Sequence, residues 1–222
     1  MSLFKVLGEA YPMLLDGLSM TVRITILSLI IALVIGIFVC LMNISNNIVL
    51  KSIAKFYIWL IRGTPMLVQA FYFYFAIPQL IQGLTGTQFR IDIFTASLIT
   101  LAMNAGAYIS EIFRGSIEAV NKGQMEAARS LGLSYAKSMQ KIILPQAIRI
   151  CLPSLVNQFI ITLKDSTILY AIGLAEIMNK AKVYVGRTME SFATYTWVAI
   201  FFLAIVTVLS LVSRTVERRM NS

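Results

Sequence analysis

The chain has 222 residues, 58% of them hydrophobic and only 13% charged, with a formal net charge of +9 and a mean hydropathy of +0.80. Soluble domains carry about a quarter charged residues, so this composition argues against one. The chain has no His, its two cysteines (Cys40 and Cys151) lie in separate apolar runs, and no G-x-x-x-x-G-K-[ST] pattern occurs. A Cys/His metal cluster, a dithiol motif, a haem-attachment site and a phosphate-binding loop are thereby excluded.

Five long stretches carry no charge: Ile24–Leu50, Gly63–Phe89, Ile93–Ser110, Ile150–Leu163 and Ser191–Ser213. A bilayer core needs about 20 apolar helical residues at roughly 1.5 Å each. The fold class expected is therefore an all-α polytopic membrane protein, with five spans near 20–42, 56–82, 93–113, 150–171 and 193–213. With the N-terminus outside, the inner segments hold Lys51, Lys55, Arg114, Lys122, Arg129, Lys137, Lys141, Arg149, Arg214, Arg218 and Arg219. The outer ones hold Lys5, Arg90, Lys180, Lys182 and Arg187. The positive-inside rule then favours N-out, C-in, and the basic excess reads as a cytoplasmic membrane face in preference to a nucleic-acid surface.

Along the chain, Leu3, Phe4, Leu7, Tyr11 and Leu14 form an apolar stripe beside Lys5 and Glu9, which predicts an interfacial N-terminal segment. Met1–Met20 lacks an apolar signal-peptide core, so the first span is expected to direct insertion. That span ends at the polar turn 43–47. Without internal repeats or linkers, 1–222 reads as one membrane domain.

The second span contains Arg62-Gly63-Thr64-Pro65. Gly63 is a permissive joint, Thr64 can cap the donors that follow, and Pro65 suits a first helical position. Such a break is either a packing kink or a hinge on a transport pathway. Beyond it, Gln69 and Tyr72 share a helical face. In the third span Asn104, Tyr108 and Glu111 are spaced i, i+4, i+7 and share one stripe, while Ala102, Ala105 and Gly106 permit close approach of another helix. Glu111 is placed to pair with Arg114. The fourth span carries Lys164-Asp165-Ser166-Thr167, two turns after Gln158. A charge at the bilayer centre costs at least about 2.5–3.5 kcal/mol, so these residues either line a wet path or form an interhelical ion pair.

Between spans three and four, Glu126-Ala127-Ala128-Arg129-Ser130-Leu131-Gly132 ends a short helix at a Gly stop, and Ser134 can start an amphipathic second helix running to Pro145. The arrangement predicts either a rigid cytoplasmic knob or a solvated loop across 114–149.

The pattern E-A-A-x3-G-x9-I-x-L-P resembles the EAA loop of permease subunits of type I ABC importers. The segments around Arg62–Pro65, Asn104–Glu111 and Leu163–Thr167 look like the polar amino acid uptake branch, the histidine, glutamine, arginine and cystine permeases. The resemblance covers nearly the whole chain. It implies the five-span permease fold in a bacterial cytoplasmic (inner) membrane, no catalytic residue, and no cofactor in this chain. It also implies a separate cytoplasmic ATPase dimer holding ATP and Mg, an extracytoplasmic amino acid binding protein, and a second permease subunit, either identical or paralogous. Glu126, Ala127, Ala128, Leu131 and Gly132 would form the coupling contact. The substrate path would draw on Arg62, Gln69, Tyr72, Asn104, Tyr108, Gln158, Asp165, Ser166 and Thr167.

Because Gln158 is neutral where a cationic side chain would want a second carboxylate, a polar uncharged amino acid such as glutamine or cystine is the substrate expected. A basic amino acid importer remains the alternative. An ion-coupled secondary transporter or a structural assembly subunit would account for the intramembrane polar residues without an ATPase.

Overall fold

The computed structural model describes residues 3–220, with side-chain surroundings as far as Leu211. The side chains of Arg214, Arg218 and Arg219, counted above for orientation, lie outside the described set, as does the end of the fifth expected span. The described chain forms ten α-helices and, among the described residues, no strand. Four helical runs are long and apolar enough to cross a bilayer: Leu3–Ile44, Ile93–Glu118, Tyr135–Ile172 and Ser191–Leu211.

Helix α1 (Leu3–Ile44) is a single element of 42 residues. The interfacial N-terminal segment expected from the sequence is therefore not separate. Val6, Ala10 and Leu14 are buried in one apolar cluster with Ile177, Ala181, Tyr184, Ala193 and Val198. Of the stripe expected to be interfacial, Leu14 belongs to this cluster and Leu3 packs against it, while Phe4 and Tyr11 stay exposed; the helix continues through Pro12. Polar clamps reinforce it: Trp197 Nε1 donates to the Leu3 carbonyl at 2.9 Å, the Tyr184 hydroxyl to Glu9 Oε2 at 3.0 Å, and Lys180 pairs with Asp16 at 2.6 Å.

The second expected span is not one helix. It comprises α2 (Ile48–Gly63), an extended Thr64–Pro65 step, α3 (Met66–Phe71), a π turn over Tyr72–Ala76 and α4 (Ile77–Thr85). Asn47 caps α2 by accepting from the Val49 amide at 2.9 Å. Pro65, at φ −62° and ψ 137°, occupies the N-cap of α3 and not its first turn, and Thr64 does not cap the donors after it; its hydroxyl donates back to the Leu60 carbonyl at 2.9 Å.

Helix α5 (Ile93–Glu118), capped by Asp92, packs along α1. The approach is close: a Cβ on Gly36 would meet Ile109 Cγ2 at 2.5 Å, and one on Gly106 would meet Ile35 Cγ2 at 2.7 Å. The small residues at 102–106 thus serve the packing anticipated for them, with α1 as the partner. After α6 (Lys122–Ser130) and α7 (Tyr135–Ser138), a π turn at Met139–Ile143 leads without interruption into α8 (Leu144–Asp165). Pro145 cannot donate to the preceding turn, and the wider turn sits directly before it. A tight 3-10 turn over Ser166–Ile172 ends at Gly173, whose φ is +94°. Then follow α9 (Ile177–Thr188) and α10 (Ser191–Met220).

Candidate functional site: a polar cavity at a broken helix

The break between α2 and α3 frees backbone carbonyls that a membrane cannot hydrate. Gln69 satisfies them. Its Nε2 shares its two hydrogens among the Ile61 carbonyl at 2.7 Å, the Thr64 carbonyl at 3.0 Å and Thr64 Oγ1 at 2.9 Å, and its Oε1 accepts from Asn104 Nδ2 at 3.0 Å. One buried amide therefore holds the break open and ties it to α5.

Beside the break lies a cavity of about 570 Å³ lined by Arg62, Asn104, Tyr108, Gln158, Ile161 and Asp165, with the Gly63–Met66 backbone forming one wall. Four helical segments contribute, α2, α3, α5 and α8. The Arg62 guanidinium stands over the Tyr108 ring, 5.2 Å from its centroid. Its Nη1 reaches Glu111 Oε2 at 3.4 Å. Glu111 is already gripped by Arg114 through two bonds of 2.9 and 3.0 Å, the pairing anticipated from the sequence. Gln158 engages Thr162 at 3.3 Å. Neither Asp165 nor Lys164 forms an ion pair among the described residues, so the interhelical pair weighed as the bland reading of Lys164-Asp165 is not formed. The cavity wall consequently presents one cation, one unpaired carboxylate and two amide side chains.

Five of the nine expected substrate-path residues meet here: Arg62, Asn104, Tyr108, Gln158 and Asp165. Gln69 and Tyr72 do share a face, but it lines a different, mainly apolar pocket with Leu60, Phe73 and Ile77. Ser166 and Thr167 are turned back on their own helix, donating to the Leu163 and Lys164 carbonyls at 2.7 Å each. The helix tightens to three residues per turn directly after Asp165, so the i, i+7 register that aligns Gln158 with Asp165 does not carry on to them. Sequence reasoning missed the Arg62–Glu111 contact, since 49 residues separate the partners. The only available signal was the extension of the Asn104–Tyr108 stripe to Glu111.

The loop between α5 and α8 is a defined knob. Asn121 caps α6 by accepting from the Gly123 amide at 2.8 Å, Gly132 takes φ +84° past the helix end, and Ser134 caps α7. Glu126, Ala127, Leu131 and Gly132 are exposed, Leu131 to 84%, whereas Ala128 is buried under the knob.

Residues 32–222 match the family described as the binding-protein-dependent transport system inner membrane component. Over 212 residues, 96% of this chain and 94% of the relative, the sequence is 39% identical to the glutamine transport system permease protein GlnP of Escherichia coli strain K12. It is 37% identical over 211 residues, 95% of this chain and 94% of the relative, to the arginine transport system permease protein ArtQ of Bacillus subtilis strain 168. A crystal structure of an amino acid ABC transporter with histidines superposes with a TM-score of 0.92 at 36% identity, covering 99% of both chains.

Proposed function

This chain belongs to the inner membrane component family of binding-protein-dependent transport systems and is an amino acid ABC importer permease; from that premise we propose that the cavity at the broken helix carries a zwitterionic, uncharged-side-chain amino acid such as glutamine or cystine. The observation that carries this reading is the pairing of Arg62 and Asp165 in one cavity wall with no second free carboxylate beside them. An α-amino acid brings one carboxylate and one ammonium. Arg62 suits the first and Asp165 the second, and the Gln158 and Asn104 amides can donate to or accept from a polar side chain. A cationic cargo would need a further free carboxylate, and Glu111 is occupied by Arg114.

In this reading the chain spans the membrane five times with its N-terminus outside, the broken α2–α4 segment counting as one crossing. It pairs with a second permease subunit, identical or paralogous, and receives substrate from an extracytoplasmic binding protein. The 114–149 knob is the coupling element: Glu126, Ala127, Leu131 and Gly132 contact a separate ATPase dimer that holds ATP and Mg, and Ala128 supports them from beneath. ATP-driven closure of that dimer moves the knob and turns the cavity outward. The two states differ in affinity for substrate, which is what any such switch requires.

The test is ATP-driven uptake into vesicles bearing the complete transporter. Saturable glutamine or cystine uptake is expected, with arginine excluded, and Asp165→Asn should lower uptake by about tenfold or more as a charge-assisted contact is lost. Saturable arginine uptake without glutamine or cystine uptake would overturn the substrate assignment.

A further inference from the structure

The α5 stripe that lines the substrate cavity does not stop there. Asn104 and Tyr108 continue at helical spacing into Glu111, Arg114 and Glu118, and on α2 the face of Arg62 continues back through Ile58 and Lys55 to Lys51. These continuations enclose a second cavity of about 560 Å³, lined by Asn43, Lys51, Lys55, Trp59, Arg114 and Glu118 among others. The Arg62–Glu111 contact bridges the two linings, with Arg62 in the wall of the first cavity and Glu111 in that of the second. The two sides of the contact are unequally held. Glu111 is fixed by Arg114 at 2.9 and 3.0 Å and touched by Asn43 at 3.4 Å, whereas Arg62 reaches it by one long 3.4 Å contact, one residue before the Gly63 break.

The charges of the second cavity are also unequal. Arg114 is committed to Glu111 and to Glu118, the latter at 2.6 Å. Lys51 and Lys55 have no carboxylate within ion-pair distance among the described residues. The cavity therefore offers two free ammonium groups on one helix face and no free carboxylate pair to match them. Its lining carries a net positive charge, which suits an anion.

We propose that this second cavity is an exit-side station for the same amino acid, in which Lys51 and Lys55 take the substrate carboxylate from Arg62, and that the Arg62–Glu111 contact is the partition between the two stations. The inference rests on the substrate reading above. When substrate occupies the first cavity, its carboxylate competes with Glu111 for Arg62, and loosening that one contact frees the end of α2 at its break. The two stations share a cationic partner for the carboxylate, but the second has no free carboxylate to hold the ammonium, so it binds the substrate more weakly than the first and lets it leave. The free lysines also disfavour a cationic side chain at the exit, an additional filter against arginine and lysine.

The test is glutamine uptake by the complete transporter in vesicles, comparing wild type with the double variant Lys51→Gln/Lys55→Gln, its charge-retaining counterpart Lys51→Arg/Lys55→Arg, and Glu111→Gln. The glutamine double variant should lose about tenfold in kcat with KM within about twofold, since the first station is untouched, and the arginine double variant should restore kcat. Glu111→Gln should let preloaded glutamine leak outward without ATP at least about fivefold faster than wild type. Unchanged kcat in the glutamine double variant overturns the station, and an unchanged leak overturns the partition. Loss of the ATPase from the purified variant complex, or a defect that disappears in vesicles free of anionic lipid, also overturns it, by assigning the lysines to subunit docking or to lipid headgroups. Failure of the substrate reading is distinct, because it shows in the wild type, as absence of glutamine uptake before any variant is compared.

Discussion

Glu176 is the costliest single burial outside the long helices. It has no exposed surface, yet its carboxylate accepts from the Met178 and Asn179 amides at 2.9 and 2.7 Å and so caps α9. Burial raises its pKa from 4.5 to about 7, against the two amide bonds that favour the anion. The folded state thus binds this proton more tightly than the unfolded chain does. The stabilisation from Glu176 is complete below about pH 4.5 and is lost as pH rises through about 7. Wild-type Tm in detergent should fall between pH 5 and pH 8, and Glu176→Gln should flatten that fall, a loss of ~1 kcal/mol moving Tm by roughly 2–4 °C at this chain length. Equal slopes in the two proteins would show that the proton sits elsewhere. Glu176 was silent in the sequence because a Glu just before a helix looks like any exposed cap; its burial comes from chain-distant packing such as that of α1 on α9, where a Cβ on Gly17 would meet the adjoining Ile177 backbone at 2.7 Å.

Among the elements, the contact of α1 with α5 sets where the cavity stands, because α5 carries Asn104 and Tyr108 and is positioned by the glycine approach at 36 and 106. Gly36→Val would drive a side chain into Ile109 and the Ser110 backbone, at 2.5 and 3.2 Å from the first added carbon. The expected cost is about 1–3 kcal/mol, the usual penalty of overpacking, read as lowered thermal stability in detergent. Gly8→Ala in the same helix, where a Cβ meets nothing within 4 Å, should be neutral or stabilising by about 0.5–1 kcal/mol. Equal effects at the two sites would mean that the helix contact is not what holds α5. Much of this level was legible. The small residues of α5, the Gly132 stop, the Ser134 cap and the break at 62–65 all follow from local chemistry. The continuity of α1 through Pro12 did not, because the sequence points to the stripe Leu3, Phe4, Leu7, Tyr11 and Leu14, whereas α9 and α10 cover the face of Val6, Ala10 and Leu14 and leave Phe4 and Tyr11 exposed. The role of Gln69 was hidden as well. A polar residue on a helix face reads as lining, and only the fold shows its amide spent on the Ile61 and Thr64 carbonyls.

At the scale of the whole molecule, the cavity and the knob are joined by one continuous rod. The helical run from Tyr135 to Ile172 starts at the elbow after Gly132 and passes Gln158 and Asp165 on its way across the bundle. A displacement of the knob reaches the cavity wall along this run, which can bend at the π turn at Met139–Ile143 and at Pro153 inside α8. Under the proposed function, cargo movement and ATP hydrolysis are coupled only while the knob is seated in the ATPase. Leu131, 84% exposed at the elbow, touches little of its own chain, so replacing it should leave the fold intact while spoiling the seat. Leu131→Asp should insert and fold as wild type does, with Tm within about 2 °C, because surface substitutions away from special features stay within about 0.5 kcal/mol. Uptake should fall by about tenfold or more, since under the proposed function the substitution places a charge where the knob meets the ATPase. ATP hydrolysis by the assembled complex should stop responding to loaded binding protein. Uptake retained in Leu131→Asp, with the ATPase still bound, would separate the elbow from energy transfer and leave the rod from Tyr135 to Ile172 as scaffold alone.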